Sequence, residues 1–419
     1  MLKRIIEYIK NKCYSNEIMY KFLSYLRYLF YVRRQKGVYR KICLIAKENK
    51  RKLKIAFLVN ENEKWCCQSL YDKLMQSDHF EPVIFLTSLN DFKRTDIEEK
   101  FNKNVKFFNK YCNNVQTVCN IKTKQFDNLE KYNPDIIVYQ QPWGIAKKQN
   151  LFSISKFALA IYVPYCFVEE YKLIVEKFIY DFQYLLFRKY IAHELIQKEY
   201  KNKSYKKNNL KVVGYPKLEE YLDNKIYEKK YIIYAPHYSV KEESIKLGTF
   251  DWNGKYILEY AKKHPEFNWI FKPHPKCKNS FLEFKIFQNT KEINDYYDEW
   301  AKIGTVYEKG NYMDLFKQTK CLITDCASFL IEFLPTESPV INLKRKDSVY
   351  ISDITEEIIK SYYQVYNLEE LQKVLSDILE NNIDEKKQER LDLIKKLNLV
   401  RNASDNIIED LESAFCKRQ

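Results

Sequence analysis

At 419 residues, 46% hydrophobic and 16% aromatic, the chain is long enough for two separately cored domains and too apolar to be intrinsically disordered. Seven glycines, with no G-x-G-x-x-G or Walker-type loop, exclude a glycine-rich dinucleotide fingerprint. The formal charge of +15 sits at one end: the first 52 residues hold fifteen Lys and Arg against three acids, so the rest of the chain is close to balanced.

Residues 1–52 carry apolar side chains at helical spacing (Leu2, Ile5, Ile6, Ile9, then Phe22, Leu23, Leu26, Leu29, Phe30). Arg27 interrupts the most apolar part, leaving it well short of the ~20 residues a membrane span requires. Glu7 and Lys10 break the early apolar core that a signal peptide would need. A basic, aromatic amphipathic segment of this kind suits the surface of an anionic bilayer, which predicts a peripheral protein on the cytoplasmic face of the membrane. A helical cap on the following domain is the plainer reading. Nucleic acid is not expected as a partner, because no recognition motif accompanies the charge.

Residues 53–222 read as a first Rossmann-like domain. Leu53–Val59, Pro82–Thr87, Asp135–Tyr139 and Phe157–Val163 are predicted strands, with a helix around Trp65–Gln76 and other helical or polar segments between them. This alternation predicts a parallel sheet covered on both faces. Gln140-Gln141-Pro142-Trp143 falls at a strand end, either facing an interdomain cleft or forming a loop around a packed tryptophan. Tyr171–Tyr200 reads as a long aromatic helix, with His193 packed inside it.

Residues 223–419 read as a second Rossmann-like domain. Tyr231–Ser239 (YIIYAPHYS) and Asn268–Lys276 (NWIFKPHPK) are each an apolar strand broken by proline and followed by a histidine, His237 and His274. Proline cannot continue a sheet interior, so both histidines belong at strand ends, where open α/β sheets bind ligands. Lys320–Leu343 reads as strand, helix and strand: Lys320–Thr324, Asp325 as N-cap of an apolar helix running to Pro335, then a strand after Pro339. A strand entering a helix N-terminus offers unpaired N–H groups to a phosphate, and Ser328 adds a hydroxyl there. An ordinary βαβ repeat with Asp325 only capping fits the same residues. Glu332, in an apolar run one turn later, needs a partner; a ribose diol would serve. Leu368–Leu379 and Glu385–Leu397 are closing helices.

The eleven cysteines include no C-x-x-C pair, and Cys277 and Cys321 lie in or beside apolar runs. They read as reduced thiols of a cytosolic protein rather than a disulfide or zinc framework. There is no Asp-x-Asp pair to hold a divalent ion, and neither metal nor other cofactor is expected.

YAPHYS, GTF at Gly248–Phe250, FKPHP and ITDCASFLIEF, in that order, resemble the CDP-glycerol glycerophosphotransferase family of teichoic-acid and capsule enzymes. The resemblance covers mainly Tyr231–Leu343. It implies the GT-B fold, two Rossmann-like domains here preceded by a basic helical segment, with Ile407–Phe415 a candidate for a last helix returning to the first domain. It further implies transfer of a polyol phosphate from a CDP-alcohol donor to a glycan or lipid-linked acceptor in surface-polysaccharide assembly. By that resemblance His274 and His237 would act at the diphosphate. Ser239, Lys272, Lys276, Thr324, Asp325, Ser328 and Glu332 would bind the donor, with Glu332 on the ribose. Family members often read T-D-Y-S-S where this chain has Thr324-Asp325-Cys326-Ala327-Ser328. They also carry a W-H-G-T-P-like segment where this chain has Tyr162-Val163-Pro164-Tyr165-Cys166-Phe167. The acceptor base is therefore open among Glu169, Glu170 and His237. A sugar-nucleotide glycosyltransferase and a non-catalytic membrane-bound assembly factor are the alternative readings.

Overall fold

The structure, a computed structural model, describes residues 33–48, 51–90, 97–167, 185–202, 209–223, 225–241, 246–308, 312–348 and 352–416. The predicted helices of residues 1–32 and the candidate bases Glu169 and Glu170 lie outside them. The chain divides into two compact units, Met1–Glu219 with Arg401–Gln419, and Glu220–Val400.

The first unit is built on β1 (Leu53–Val59), β2 (Phe80–Leu86), β3 (Val115–Thr117), a small antiparallel pair of β4 (Cys119–Asn120) and β5 (Gln125–Phe126), then β6 (Ile136–Tyr139), β7 (Leu159–Tyr162), β8 (Leu186–Ile191) and β9 (Leu210–Val212). Seven of these form one sheet in the order β3-β2-β1-β6-β7-β8-β9, every neighbour parallel. IAFLV within β1 and IIVY in β6 are uninterrupted apolar runs because a central parallel strand is covered on both faces.

One expectation fails here. Leu186–Ile191, inside the predicted Tyr171–Tyr200 helix, is strand β8, and Glu194–Asn202 is helical, while residues 171–184 of that prediction lie outside the described residues. Pairing between β7 and β9 overrides a local aromatic pattern that suits either structure. The chain accommodates the buried Lys189 by directing its Nζ to the Tyr200 hydroxyl (2.6 Å), between the rings of Tyr162 and Tyr200. His193 precedes the helix rather than packing within it. Its Nδ1 accepts the Leu195 amide at 3.1 Å.

The second unit has β10 (Tyr231–Ala235), β11 (Asn268–Phe271), β12 (Gly304–Val306), β13 (Thr319–Thr324), β14 (Val340–Leu343) and β15 (Tyr363–Val365), parallel in the order β12-β11-β10-β13-β14-β15. Its core is strongly aromatic: Tyr234, Phe271 and Trp300 stack beside Phe250, Phe281 and Tyr296. In both sheets the order of connection reverses at the first strand, β1 or β10: the chain first builds outward on one side, through β2 and β3 or β11 and β12, then returns to add β6 or β13 on the other.

The chain's last helix, Ala403–Phe415, belongs to the first unit. It buries Ile407, Leu411 and Phe415, while Asp410 receives the Arg188 guanidinium (2.7 Å) and the Tyr190 hydroxyl (2.9 Å) from β8. Its first turn is held by the buried carboxylate of Glu219, which accepts the Ser404 amide at 2.7 Å and the Ser404 hydroxyl at 2.5 Å. Glu219→Ala removes two hydrogen bonds to a charged group, each worth about 1.5–3 kcal/mol. Urea unfolding should report a loss within that range for the pair, since water replaces part of it, and an unchanged midpoint would contradict this account.

Candidate functional site

At the carboxyl ends of β10, β11 and β13 the chain leaves the sheet of the second unit through Pro236–Ser239, Lys272–Lys276 and Asp325–Cys326. Prolines end the first two strands as the sequence requires, but the ladder continues briefly in the backbone. Lys272 N–H donates to the Tyr234 carbonyl (2.8 Å) and His274 N–H to the Pro236 carbonyl (3.1 Å). Proline accepts where it cannot donate. The two histidines are thereby fixed side by side, ring centroids 5.2 Å apart, with the Tyr238 ring 4.4 Å from one and 4.6 Å from the other. Strands β11 and β13 are not neighbours, because β10 runs between them; His237 therefore stands between His274 and the Asp325 segment.

Asp325 does not cap the helix that follows. That helix is Ala327–Phe333, with Cys326 at the N-cap position and no side-chain cap. The Asp325 carboxylate, 1% exposed, instead accepts three bonds: from His237 N–H at 2.5 Å, from Thr249 N–H at 2.7 Å and from the Thr249 hydroxyl at 2.7 Å. Asn253 donates its Nδ2 to the Thr249 carbonyl and hydroxyl (2.6 and 2.8 Å) and accepts the Tyr234 hydroxyl at 2.6 Å. A buried polar chain thus runs from strand β10 through the helix Phe250–Lys263 and back to the loop that carries His237. Burial pushes the Asp325 carboxyl up to about 7, while its three donors pull it back toward ionisation.

Thr324 and Ser239 are fully buried and serve the same loops. The Thr324 hydroxyl donates to the Ala235 carbonyl (2.7 Å) and accepts the Cys326 amide (3.0 Å). The Ser239 hydroxyl lies 2.8 Å from His237 Nδ1 and accepts the amides of Leu247 and Gly248 (3.4 and 3.3 Å). Gly248 is required by that approach: a Cβ there would fall 2.6 Å from the Val240 nitrogen and 2.8 Å from the Ser239 carbonyl carbon. Arg345 closes the loop from outside, donating to the Val240 carbonyl at 2.9 Å.

Backbone amides set the histidine tautomers. Ser239 N–H donates to His237 Nδ1 (3.4 Å) and Lys276 N–H to His274 Nδ1 (3.1 Å), so each neutral ring carries its proton on Nε2. Burial holds His237 down at about 3, helped by the neighbouring His274 and Lys276. Burial likewise holds His274 down at about 4, helped by Lys276 and Lys272. Around them, the exposed Lys276 places its Nζ 4.6 Å from the Tyr238 ring centroid. The Lys272 Nζ stands 4.7, 5.2 and 5.6 Å from the rings of Tyr312, Phe329 and Tyr307.

Ser328 is exposed in the first helical turn, its hydroxyl 3.3 Å from Cys326 Sγ. Glu332 is buried, and the Tyr312 hydroxyl donates to its carboxylate at 2.6 Å. The structure thus supplies from the protein the partner that sequence reasoning assigned to a ribose. Of the residues singled out from sequence, His237, His274, Lys272, Lys276 and Ser328 are at the loop surface or beside it, whereas Thr324, Asp325, Ser239 and Glu332 are sealed and bonded. Thr249 and Tyr312 were not anticipated. The Gly248-Thr249-Phe250 motif contained the signal for the first. Nothing local marks the second. Chemically, two neutral imidazole N–H donors and two ammonium groups on adjacent loops suit an oxyanion. Among the described residues no group of three His, Cys, Asp or Glu is arranged to hold a metal ion.

Two parallel sheets of this kind, each switching direction at its first strand, define a protein of two Rossmann-like units, the GT-B type of architecture. Solved structures of that type superpose on the chain. They include S. aureus MnaA with UDP (TM-score 0.57, 13% identity, 88% of this chain and 99% of that one) and the UDP-GlcNAc 2-epimerase of Neisseria meningitidis bound to UDP-GlcNAc (0.57, 14%, 87% and 100%). The wall teichoic acid polymerase TagF is a further match (0.53, 14%, 94% and 98%). No family model matches the sequence, and no curated protein does.

The site should make stability pH-dependent in a defined window. A histidine near 3 or 4 when folded and 6.5 when unfolded stabilises fully above 6.5, and that stability is lost as pH falls toward the folded value. Asp325 works oppositely, holding between about 4 and 7 a proton that the unfolded chain lacks. Near pH 5 two histidine protons thus oppose one carboxyl proton. The His237→Asn, His274→Asn double variant should lose this dependence on falling pH by about two protons, roughly 3 kcal/mol per pH unit in urea titrations. Parallel curves for the two proteins would refute it.

Proposed function

We propose that the second unit binds a CDP-alcohol and that the protein transfers the polyol phosphate to a glycan or lipid-linked acceptor of a surface polysaccharide, with CMP leaving. The observation that carries this reading is the His237–His274 pair, held Nε2-protonated at the switch of the sheet with Lys272 and Lys276 beside it. The acceptor hydroxyl attacks the β-phosphorus and releases its proton to water, the bond from that phosphorus to the CMP oxygen breaks, and negative charge grows on the leaving phosphate. His274 Nε2–H donates to that charge and His237 assists. The bound diphosphate itself raises both imidazoles from their low values, because a nearby anion favours the cation. This makes proton transfer from His274 accessible near neutrality. Ser328 binds the donor from the first helical turn.

The similarity to structures holding UDP and UDP-GlcNAc favours a second reading, a sugar-nucleotide glycosyltransferase. A thermal-shift panel distinguishes the two: stabilisation by CDP-glycerol or CMP above uridine and guanosine nucleotides supports the first, and uridine preference the second. No shift with any nucleotide leaves the assembly-factor reading standing.

His274→Ala should lower turnover by roughly 10²–10³ while the protein stays folded at the assay temperature, and Ser328→Ala should weaken donor binding by about 1 kcal/mol. Normal turnover in His274→Ala would overturn the assignment.

A membrane partner belongs to the same proposal. Residues 33–47 are helical, with Val38 and Ile42 buried and Arg33, Arg34, Lys36, Arg40, Lys41 and Lys47 all exposed. No helix among the described residues is long and apolar enough to cross a membrane. The basic face meets the anionic inner leaflet, each charge contributing about 1 kcal/mol. Reversing Arg33, Arg34, Arg40 and Lys41 to Glu should abolish flotation with phosphatidylserine liposomes. Equal flotation of variant and parent would argue against this contact.

A further inference from the structure

The first unit holds a buried group that the donor site does not use. Gln140 directly follows β6, at the carboxyl edge of the first sheet where its order switches between β1 and β6. It is 1% exposed, and among the described residues neither its Oε1 nor its Nε2 has a hydrogen-bond partner. Gln149, a buried carboxamide of the same unit, is by contrast bonded at both ends: it accepts the Thr87 hydroxyl at 2.6 Å and donates to the Val118 carbonyl at 2.8 Å. A sealed carboxamide with donor and acceptor both unmatched destabilises the fold, and an apolar side chain of the same length would not.

The surroundings show what would match it. Gln141, the next residue, accepts the Lys64 Nζ at 2.6 Å and donates to the Trp143 carbonyl at 3.1 Å, closing a turn into Gly144 at φ +69. The Lys64 Nζ also lies 5.2 Å from the centroid of the Tyr165 ring, and the Trp143 ring lies 6.3 Å from it. The segments that follow β1, β6 and β7 therefore meet here, with Cys66 Sγ on the Pro164 carbonyl at 3.4 Å. Trp143 and Tyr165 are half-buried.

We propose that this edge binds the vicinal diol of a sugar or polyol, with Gln140 as the recognising group. One hydroxyl donates to Oε1 while its neighbour accepts from Nε2, and the faces of Trp143 and Tyr165 cover the C–H surface beside them. The amide is sealed from water as it stands, so entry requires the Gln141–Gly144 turn to yield. This inference does not rest on the donor assignment in the second unit, and it is tested by binding rather than turnover.

Saturation-transfer NMR on the full chain, with ribitol as a linear probe and methyl β-D-glucopyranoside as a ring probe, is the experiment. At least one should bind, and whichever does names the class. Gln140→Met should weaken that binding tenfold or more while raising the melting temperature, a combination that a purely structural glutamine would not give. Should Gln140→Met fail to fold, Trp143→Ala carries the test through a fivefold or greater loss. The proposal is overturned if neither probe binds the parent protein, if the variants bind unchanged, or if Gln140→Met folds but melts lower, which would assign the amide to a buried water.

Discussion

The Asp325 carboxylate is the constraint on which the second unit's loop cluster depends. It lies in a place where ionisation is costly and is compensated by three short donors, two of them from Thr249 and one from the backbone of His237. Through Thr249 and Asn253 it reaches Tyr234 in the middle of β10, so the loop bearing a histidine is fastened to the strand it leaves. A charged acceptor tightens bonds of this kind beyond neutral ones. Loops that would otherwise be mobile are thereby held at fixed positions over the sheet edge.

A fixed loop has an electrostatic consequence. With His237 buried and His274 largely so, both imidazoles stay neutral near pH 7, and their low values come chiefly from lost hydration rather than from the flanking lysines. Neutral Nε2–H groups donate hydrogen bonds without imposing a charge on the empty site. Under the proposed function an arriving anion would change that balance, and the same two rings would bind as donors first and acquire protons afterwards. The coupling of anion and proton is a property of burial, and an exposed pair would not show it.

The two sheets use their switch points differently. The second unit surrounds its own with hydrogen-bonded loops, ammonium groups and two histidines. The first unit brings a carboxamide, two aromatic rings and one lysine to the corresponding edge. The groups at the second edge suit an anion, and those at the first suit the hydroxyl-rich, neutral ligand proposed for it. The basic helix of residues 33–47 is joined to the first unit by Tyr39, which donates to the Ala414 carbonyl and packs on Phe187 and Phe415.

Sequence alone determined the elements whose signals are local. The apolar runs of β1, β6, β10 and β13 could only be buried parallel strands, and Pro236, Pro273 and Pro275 forced His237 and His274 to strand ends. The α/β class and the location of the loop cluster followed. Tertiary structure decided what depends on neighbours distant in sequence. Strand β8 exists because β7 and β9 flank it, against the helical reading of its own residues. Asp325, read as a cap from its position before a helix, turned instead to Thr249, 76 residues away. Glu332 found Tyr312 before any ligand. A side chain's partner is chosen by what the fold brings within hydrogen-bond reach, and that choice is not encoded within any window of the chain short enough to be read by pattern.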